Sequence, residues 1–391
     1  MTAKRVYLDY NAGAPLRATA RAAMIDALSE TGNASSVHAE GRGSRRRIEA
    51  ARSAVAALVG ADPKRVSFVS GGSEANATVL SPTATIGGRA VWFDRLLVGA
   101  TEHPSVLAGG RFPADRVETI AVDGEGRIDL AELAAKLRRA AAVQETVLVS
   151  VMAANNETGT LQPVARIAAL AHEHGAAFHC DAAQAVGRVA VDINAIGADF
   201  LTFSSHKIGG PQGAGAIVAR EEGTAPAPLI LGGRQERGAR AGTENVAAIV
   251  GFGAAAAEAA EDLATAPVRW RAFRGRVEAF VAADPRVAIL SEGADRLPQT
   301  VCLALRGVSA ETLVIGLDLE GIAISSGAAC SSGKVGPSHV LAAMGVAPEL
   351  ARSAIRLSFG WETDENDLDM FQSAWKRVTA RIFAAGDHRA A

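Results

Sequence analysis

Cysteine is scarce in this chain of 391 residues: only Cys180, Cys302 and Cys330 occur. Three widely spaced thiols exclude a disulfide framework and a four-thiolate metal site, and they point to a reducing compartment. Excess charge of either sign is also missing. Forty Lys and Arg against 42 Asp and Glu leave a formal net charge of -2, which gives no electrostatic case for nucleic acid or an anionic membrane. The densest basic run, Arg45-Arg46-Arg47, reads as the solvated face of a helix. No apolar run is long enough to span a bilayer, and the opening residues lack the apolar core of a signal peptide. These absences together predict a cytoplasmic protein. Internal repeats, low-complexity tracts and long linkers are absent too. The glycine-rich motifs of nucleotide-binding proteins are missing: there is no G-x-G-x-x-G, and the one promising turn lacks a following Gly-Lys-Ser/Thr.

What is present is an alternation. From Val66 to Val218, continuous apolar runs exchange with amphipathic stretches. The runs are Val66–Val69, Val147–Val151, Ala176–Cys180, Phe200–Phe203 and Ala216–Val218. Their unbroken hydrophobicity suits strands covered on both faces of a mostly parallel sheet. Helices are expected from Asp129 to Arg139, where Asp129 and Glu132 resemble a capping box, and from Pro163 to His174, stopped by Gly175. Ala254 to Leu263 reads as an Ala-rich helix leading out. After Pro267 the pattern thins, with strands expected at Val301–Leu305, Ile322–Ile324 and Ile355–Leu357. The expectation is an α/β protein in two parts. A large domain spans 16–260, and a smaller α+β domain is built from 1–15 and 261–391.

Two strand ends carry the chemistry. Asp181-Ala182-Ala183-Gln184 follows one apolar run, and Ser204-Ser205-His206-Lys207 follows the next, so a carboxylate and an amine reach the same sheet edge. Pyridoxal 5'-phosphate needs that pair: a Lys condenses with its aldehyde, and an Asp facing the ring nitrogen keeps it protonated. A third strand end gives Ser70-Gly71-Gly72-Ser73, a glycine turn opening a helix, where free N–H groups suit a phosphate. Ser204 and His206 flank Lys207 closely enough to donate to the same phosphate. His103, just past another strand, can stack on a ring and move protons. An amide in Asn155-Asn156-Glu157-Thr158-Gly159 can bond the cofactor's phenolic oxygen or a substrate carboxylate, and Gln184 can reach that oxygen.

These motifs resemble the NifS/IscS-type cysteine desulfurases, group I, within the class V aminotransferases of fold type I. The resemblance rests on Ser204-Ser-His-Lys207, Asp181-Ala-Ala-Gln184, Asn155-Asn-Glu-Thr-Gly159 and Arg237-Gly-Ala-Arg-Ala-Gly-Thr243-Glu-Asn245. It extends from Tyr7-Leu-Asp-Tyr-Asn11 to Ile355-Arg-Leu-Ser-Phe-Gly360. It implies that Gly72, Ser73, Ser204, Ser205 and His206 hold the phosphate, that His103 stacks on the ring, and that Asn156 and Gln184 bond its oxygen. It further implies that Thr243 reaches the phosphate of a second subunit's cofactor, hence a homodimer with shared sites. Gly13, Ala14, Ala34 and Ser205 depart from the usual pattern.

Cys330 lies in Ser325-Ser-Gly-Ala-Ala-Cys-Ser-Ser-Gly-Lys334, a small polar segment within an active loop at about 325–337. Cys180 and Cys302 sit instead in apolar strands, as structural thiols do. A thiol in such a loop can reach a substrate. Arg356, on a strand between Ile355 and Leu357, is placed to grip a substrate carboxylate together with Asn156. The expected reaction removes sulfur from L-cysteine: Lys207 takes the α-proton, Cys330 receives the sulfur as a persulfide, His103 handles a proton at the thiol, and L-alanine leaves. By the resemblance the sulfur passes to an iron–sulfur scaffold or another acceptor protein, with which Cys330 could transiently ligate a cluster. No intrinsic metal is expected. Other readings are a selenocysteine lyase or another fold-type-I lyase, an inactive sulfur-relay partner, and a metalloenzyme at the cluster of His172, His174, His179, Cys180 and Asp181. The last is disfavoured because neighbours on a strand face opposite sides and His172 and His174 diverge on a helix.

Overall fold

The computed structural model describes residues 5–327 and 338–390. Its centre is a seven-stranded sheet. In chain order the strands are β1 (Val66–Val69), β2 (Arg95–Gly99), β3 (Val117–Ile120), β4 (Val147–Ser150), β5 (Ala177–Asp181), β6 (Phe200–Ser204) and β7 (Gly215–Ala219). Their spatial order is β1-β7-β6-β5-β4-β2-β3. The pairs among β2 to β6 are parallel, while β7 runs antiparallel to both β6 and β1. The reason is connection length. Parallel neighbours need a crossover of a dozen or more residues, and only residues 205–214 separate β6 from β7. That short return carries His206 and Lys207.

Every residue of β4, β5, β6 and β7 is buried, as continuous apolar strands require. One face packs Phe178, Leu201, Phe203 and Val218 against helices that include Ala39–Leu58 and Val246–Asp262, with Phe252 wedged edge-on to Phe203. The other face gathers Leu96, Val98, Leu148, Phe200 and Ile217. The helix Leu130–Ala142 is capped as expected: the Asp129 carboxylate accepts from the N–H groups of Ala131 and Glu132. Glu132 does not return the bond to Asp129 and accepts from Ala121 N–H instead.

A second sheet has four strands, β8 (Val287–Ile289), β9 (Thr300–Leu305), β10 (Ser325–Ser326) and β11 (Ala354–Ser358), ordered β8-β9-β11-β10. Alternation along β9 sends Val301, Leu303 and Leu305 into a separate core with Trp270, Phe371 and Trp375. Val6–Tyr7 pairs with Ile322–Ala323, tying the start of the chain to this part.

Candidate functional site

The C-terminal edge of the parallel strands, where ligands settle in open α/β sheets, borders a cavity of about 210 Å³. Its walls carry Gly72, Ser73, His103, Asn156, Asp181, Gln184, Ser204, His206, Lys207 and Arg356. They come from six separate segments of the chain. β5 ends on Asp181, β6 ends on Ser204, and the short helical turn Ser205–Lys207 swings the amine back across the edge.

Asp181 is held from two sides. Its Oδ1 accepts from the Ala183 N–H at 2.9 Å and its Oδ2 from Asn76 Nδ2 at 2.8 Å. Asn76 is fixed in turn by the Thr202 hydroxyl, which donates to its Oδ1 at 2.6 Å. Behind them, His179 bridges Thr202 Oγ1 and Ser150 Oγ at 2.9 and 2.8 Å. Burial pushes the His179 pKa down to about 4, so this imidazole is neutral and serves as a spacer in a hydrogen-bond relay. Lys207 Nζ donates to the carbonyls of Asn11 and Ala12 at 2.6 and 2.9 Å, so the N-terminal arm closes the amine's side of the cavity.

At the other end, the helix Gly72–Val79 begins on the glycine turn and presents the unpaired N–H groups of its first turn. Gly215 permits this: a Cβ there would stand 2.6 Å from the Gly71 backbone. Ser204 Oγ and His206 Nδ1 bond each other at 2.7 Å, and burial, then Lys207 and Arg188, push the His206 pKa down to about 4. His103 caps the turn Pro104–Leu107, its Nδ1 accepting from Ser105 N–H at 3.1 Å. With Nδ1 an acceptor, the ring proton resides on Nε2. Burial lowers the His103 pKa, opposed by Asp181 and reinforced by Lys207 and His339.

Arg356 is 1% exposed, and its Nη1 donates to the Asn156 carbonyl at 2.9 Å. Its Nη2 pairs with Asp9 at 2.7 Å. Nε has no partner among the described residues. The guanidinium is thus both half of a structural ion pair and part of the cavity wall.

Two expected residues stand apart. Ser205 does not border the cavity: its N–H is spent on the Ala214 carbonyl, and its hydroxyl is fully buried toward Gly210, without a partner among the described residues. Thr243 lines a different cavity of about 230 Å³, with Ser70 and Arg240. Cys330 lies outside the described residues. The chain approaches it from Ser325, register partner of Arg356, and returns at Ser338, whose hydroxyl donates to Glu157 at 2.5 Å. The members of the disfavoured His/Cys cluster are engaged elsewhere: His172 pairs with Asp199 at 2.9 Å, and the Cys180 thiol lies in the apolar core with its pKa pushed well up by burial. Among the described residues no group of His, Cys, Asp and Glu is arranged to hold a metal.

Sequence reading missed Asn11, Asn76, Ser105 and Met152, which also border the cavity. Asn76 had a usable signal, since it lies four residues beyond Gly72 on the same helix face. The donor set fits pyridoxal 5'-phosphate. A braced carboxylate stands apart from a glycine-opened helix with Ser204 and His206, and an amine borders the same space.

The family model Aminotransferase class-V matches residues 6–371. The chain is similar to a protein named cysteine desulfurase from Cereibacter sphaeroides, 43% identical over 94% of this chain and 93% of that one. It is 36% identical to cysteine desulfurase IscS of Dictyoglomus turgidum, over 97% and 95%. A solved NifS-like protein from Rickettsia africae superposes with a TM-score of 0.85 at 31% identity, covering 96% of this chain and all of that one.

Proposed function

The chain belongs to the class-V aminotransferase family, and from that premise we propose that it is a cysteine desulfurase, moving sulfur from L-cysteine to Cys330 and releasing L-alanine. The observation that carries this reading is the meeting of Lys207, Asp181 and Arg356 on one cavity. Bound there, pyridoxal 5'-phosphate supplies a conjugated sink for the electron pair left at the substrate α-carbon.

Asp181 would accept the ring N–H, held to that task by Asn76 and the Ala183 N–H. The N-terminal turn of Gly72–Val79, with Ser73, Ser204 and His206, would hold the phosphate. Gln184 and Asn156 would serve the ring oxygen, and His103 would stack on the ring. Arg356 and Asn156 orient the substrate carboxylate, which places the α-hydrogen toward Lys207 Nζ. That amine takes the proton. His103 exchanges a proton at the substrate thiol through Nε2. The Cys330 thiolate then bonds the substrate sulfur as the Cβ–S bond breaks, giving a persulfide and, after protonation, alanine.

In this reading Thr243, on its separate cavity, reaches the phosphate bound by a second copy, so the working unit is a homodimer. The sulfur passes to an acceptor protein such as an iron–sulfur scaffold. The division into 16–260 and 1–15 with 261–391 is supported by the apolar core around Trp270 and Phe371, whose members come only from residues 6–8 and 266–378. No helix among the described residues is long and apolar enough to cross a membrane. The test is a Cys330→Ser variant given L-cysteine: it should retain the cofactor and lose alanine and sulfide formation. Undiminished sulfide release would remove Cys330 from the reaction.

A further inference from the structure

Behind the wall of the cavity lies a charge that its neighbours among the described residues leave unbalanced. Arg188 follows the Asp181–Gln184 segment and is only 4% exposed. Its guanidinium reaches five oxygens, and all of them are neutral. Nη1 donates to Asn11 Oδ1 at 2.8 Å, to Gln184 Oε1, and to the Gln184 carbonyl at 3.5 Å. Nη2 donates to the carbonyls of Tyr10 and Lys207 at 2.9 and 3.3 Å. Burial pushes its pKa down to about 9, and among the described residues the neighbouring charge acting on it is another cation, Arg356. Burying a cation without a counter-ion is unfavourable unless something else in the site offsets it.

The contacts say where the offset lies. Asn11, Gln184 and Lys207 all border the cavity. Gln184 matters most. Its oxygen is engaged by Arg188, and its Nε2 donates to the Asn11 carbonyl at 3.0 Å. An amide turned the other way would set its N–H groups against the guanidinium. Arg188 therefore decides that Gln184 offers the cavity a donor, with one N–H still to give.

We propose that Arg188 is a positioning residue for the cofactor's ring oxygen: it locks Gln184 as a donor toward that oxygen, and its buried charge favours the oxygen's anionic form. This rests on the pyridoxal phosphate reading of the cavity. Nothing in the sequence flags the residue, which forms no motif with Lys207 and sits in an otherwise apolar turn.

The experiment follows the visible absorption of the cofactor on Lys207 in the purified holoenzyme as pH is varied. A cation behind the ring opposes uptake of a further proton by the bound cofactor, so the wild type takes it up at a lower pH than a variant without the charge. Arg188→Met should raise the midpoint by about one pH unit, a tenfold gain in proton affinity. Arg188→Lys keeps the charge and should restore most of the wild-type value. An unchanged midpoint in Arg188→Met, or equal shifts in the Met and Lys variants, would overturn the proposal. Should Arg188→Met yield no soluble holoenzyme, Gln184→Glu pairs the guanidinium in place and should raise the midpoint likewise; no rise there overturns the proposal as well. A wild type with no borohydride-sensitive visible band would sink the cofactor reading itself, which is a separate failure.

Discussion

Glu157 offers a quantitative test of the site's construction. It is 2% exposed, next to Asn156, and its Oε2 accepts from the Ser338 hydroxyl at 2.5 Å. Burial raises its pKa from an ordinary 4.5 to about 7, while Ser338 and Arg356 pull the other way without prevailing. The folded chain thus holds this proton more tightly than the unfolded chain. Stability from this group is complete below about pH 4.5, declines as pH rises to about 7, and is flat above. The gap amounts to about 3 kcal/mol at about 1.4 kcal/mol per pH unit. Glu157→Gln keeps an acceptor for Ser338 and abolishes the ionisation. At about 2 cal/mol/K per residue, unfolding entropy for a chain this long converts that energy to roughly 3 °C. Paired thermal melts at pH 5 and 8.5 should show the Gln variant gaining about that much over wild type between the two. All other titrations cancel in the comparison. A constant offset, or an advantage that shrinks with pH, would refute the reasoning.

Asp181→Asn sets an amide against Asn76 Nδ2 and removes the anionic acceptor; alanine formation should fall by about 10²-fold or more with cofactor still bound at Lys207, as borohydride trapping would report. Arg356→Gln should raise the KM for cysteine by roughly 10- to 100-fold, the worth of a charge-assisted carboxylate contact. The same change frees Asp9 and should lower Tm, so a variant with unaltered KM would confine Arg356 to the Asp9 pair. His103 has a lowered pKa, so its contribution to kcat should persist as pH falls to about 6.5 and be lost only below; His103→Gln should depress kcat more than KM, and a kcat profile identical to wild type would count against a proton role.

Much of this was legible because both faces of the sheet are covered. The strands at 66–69, 147–150, 177–181, 200–204 and 215–219 announce themselves as unbroken apolar runs. The three-stranded sheet of Thr83–Ile86, Arg89–Trp92 and Ala225–Pro226 escaped because it is half-exposed, with Trp92 facing solvent. The long helix starts at Val246, eight residues before the expected Ala254. Gly251 and Gly253 obscured its start, yet they are close-packing positions where a Cβ would meet Met24 and Ala51. At the site, residues at strand ends were readable from motif order. Ser205 was misplaced because the helical turn after β6 rotates it inward, away from His206 and Lys207. Asn11 and Arg188 were invisible as partners because their contact joins positions 177 residues apart.

The most direct test of the central claim is peptide mapping by mass spectrometry on the purified holoenzyme. One sample is reduced with borohydride and another is incubated with L-cysteine. A reduced cofactor adduct on Lys207 and the mass of one extra sulfur on Cys330 are the results this account requires. A cofactor adduct on a different lysine, or alanine formation with Cys330 unmodified, would contradict it.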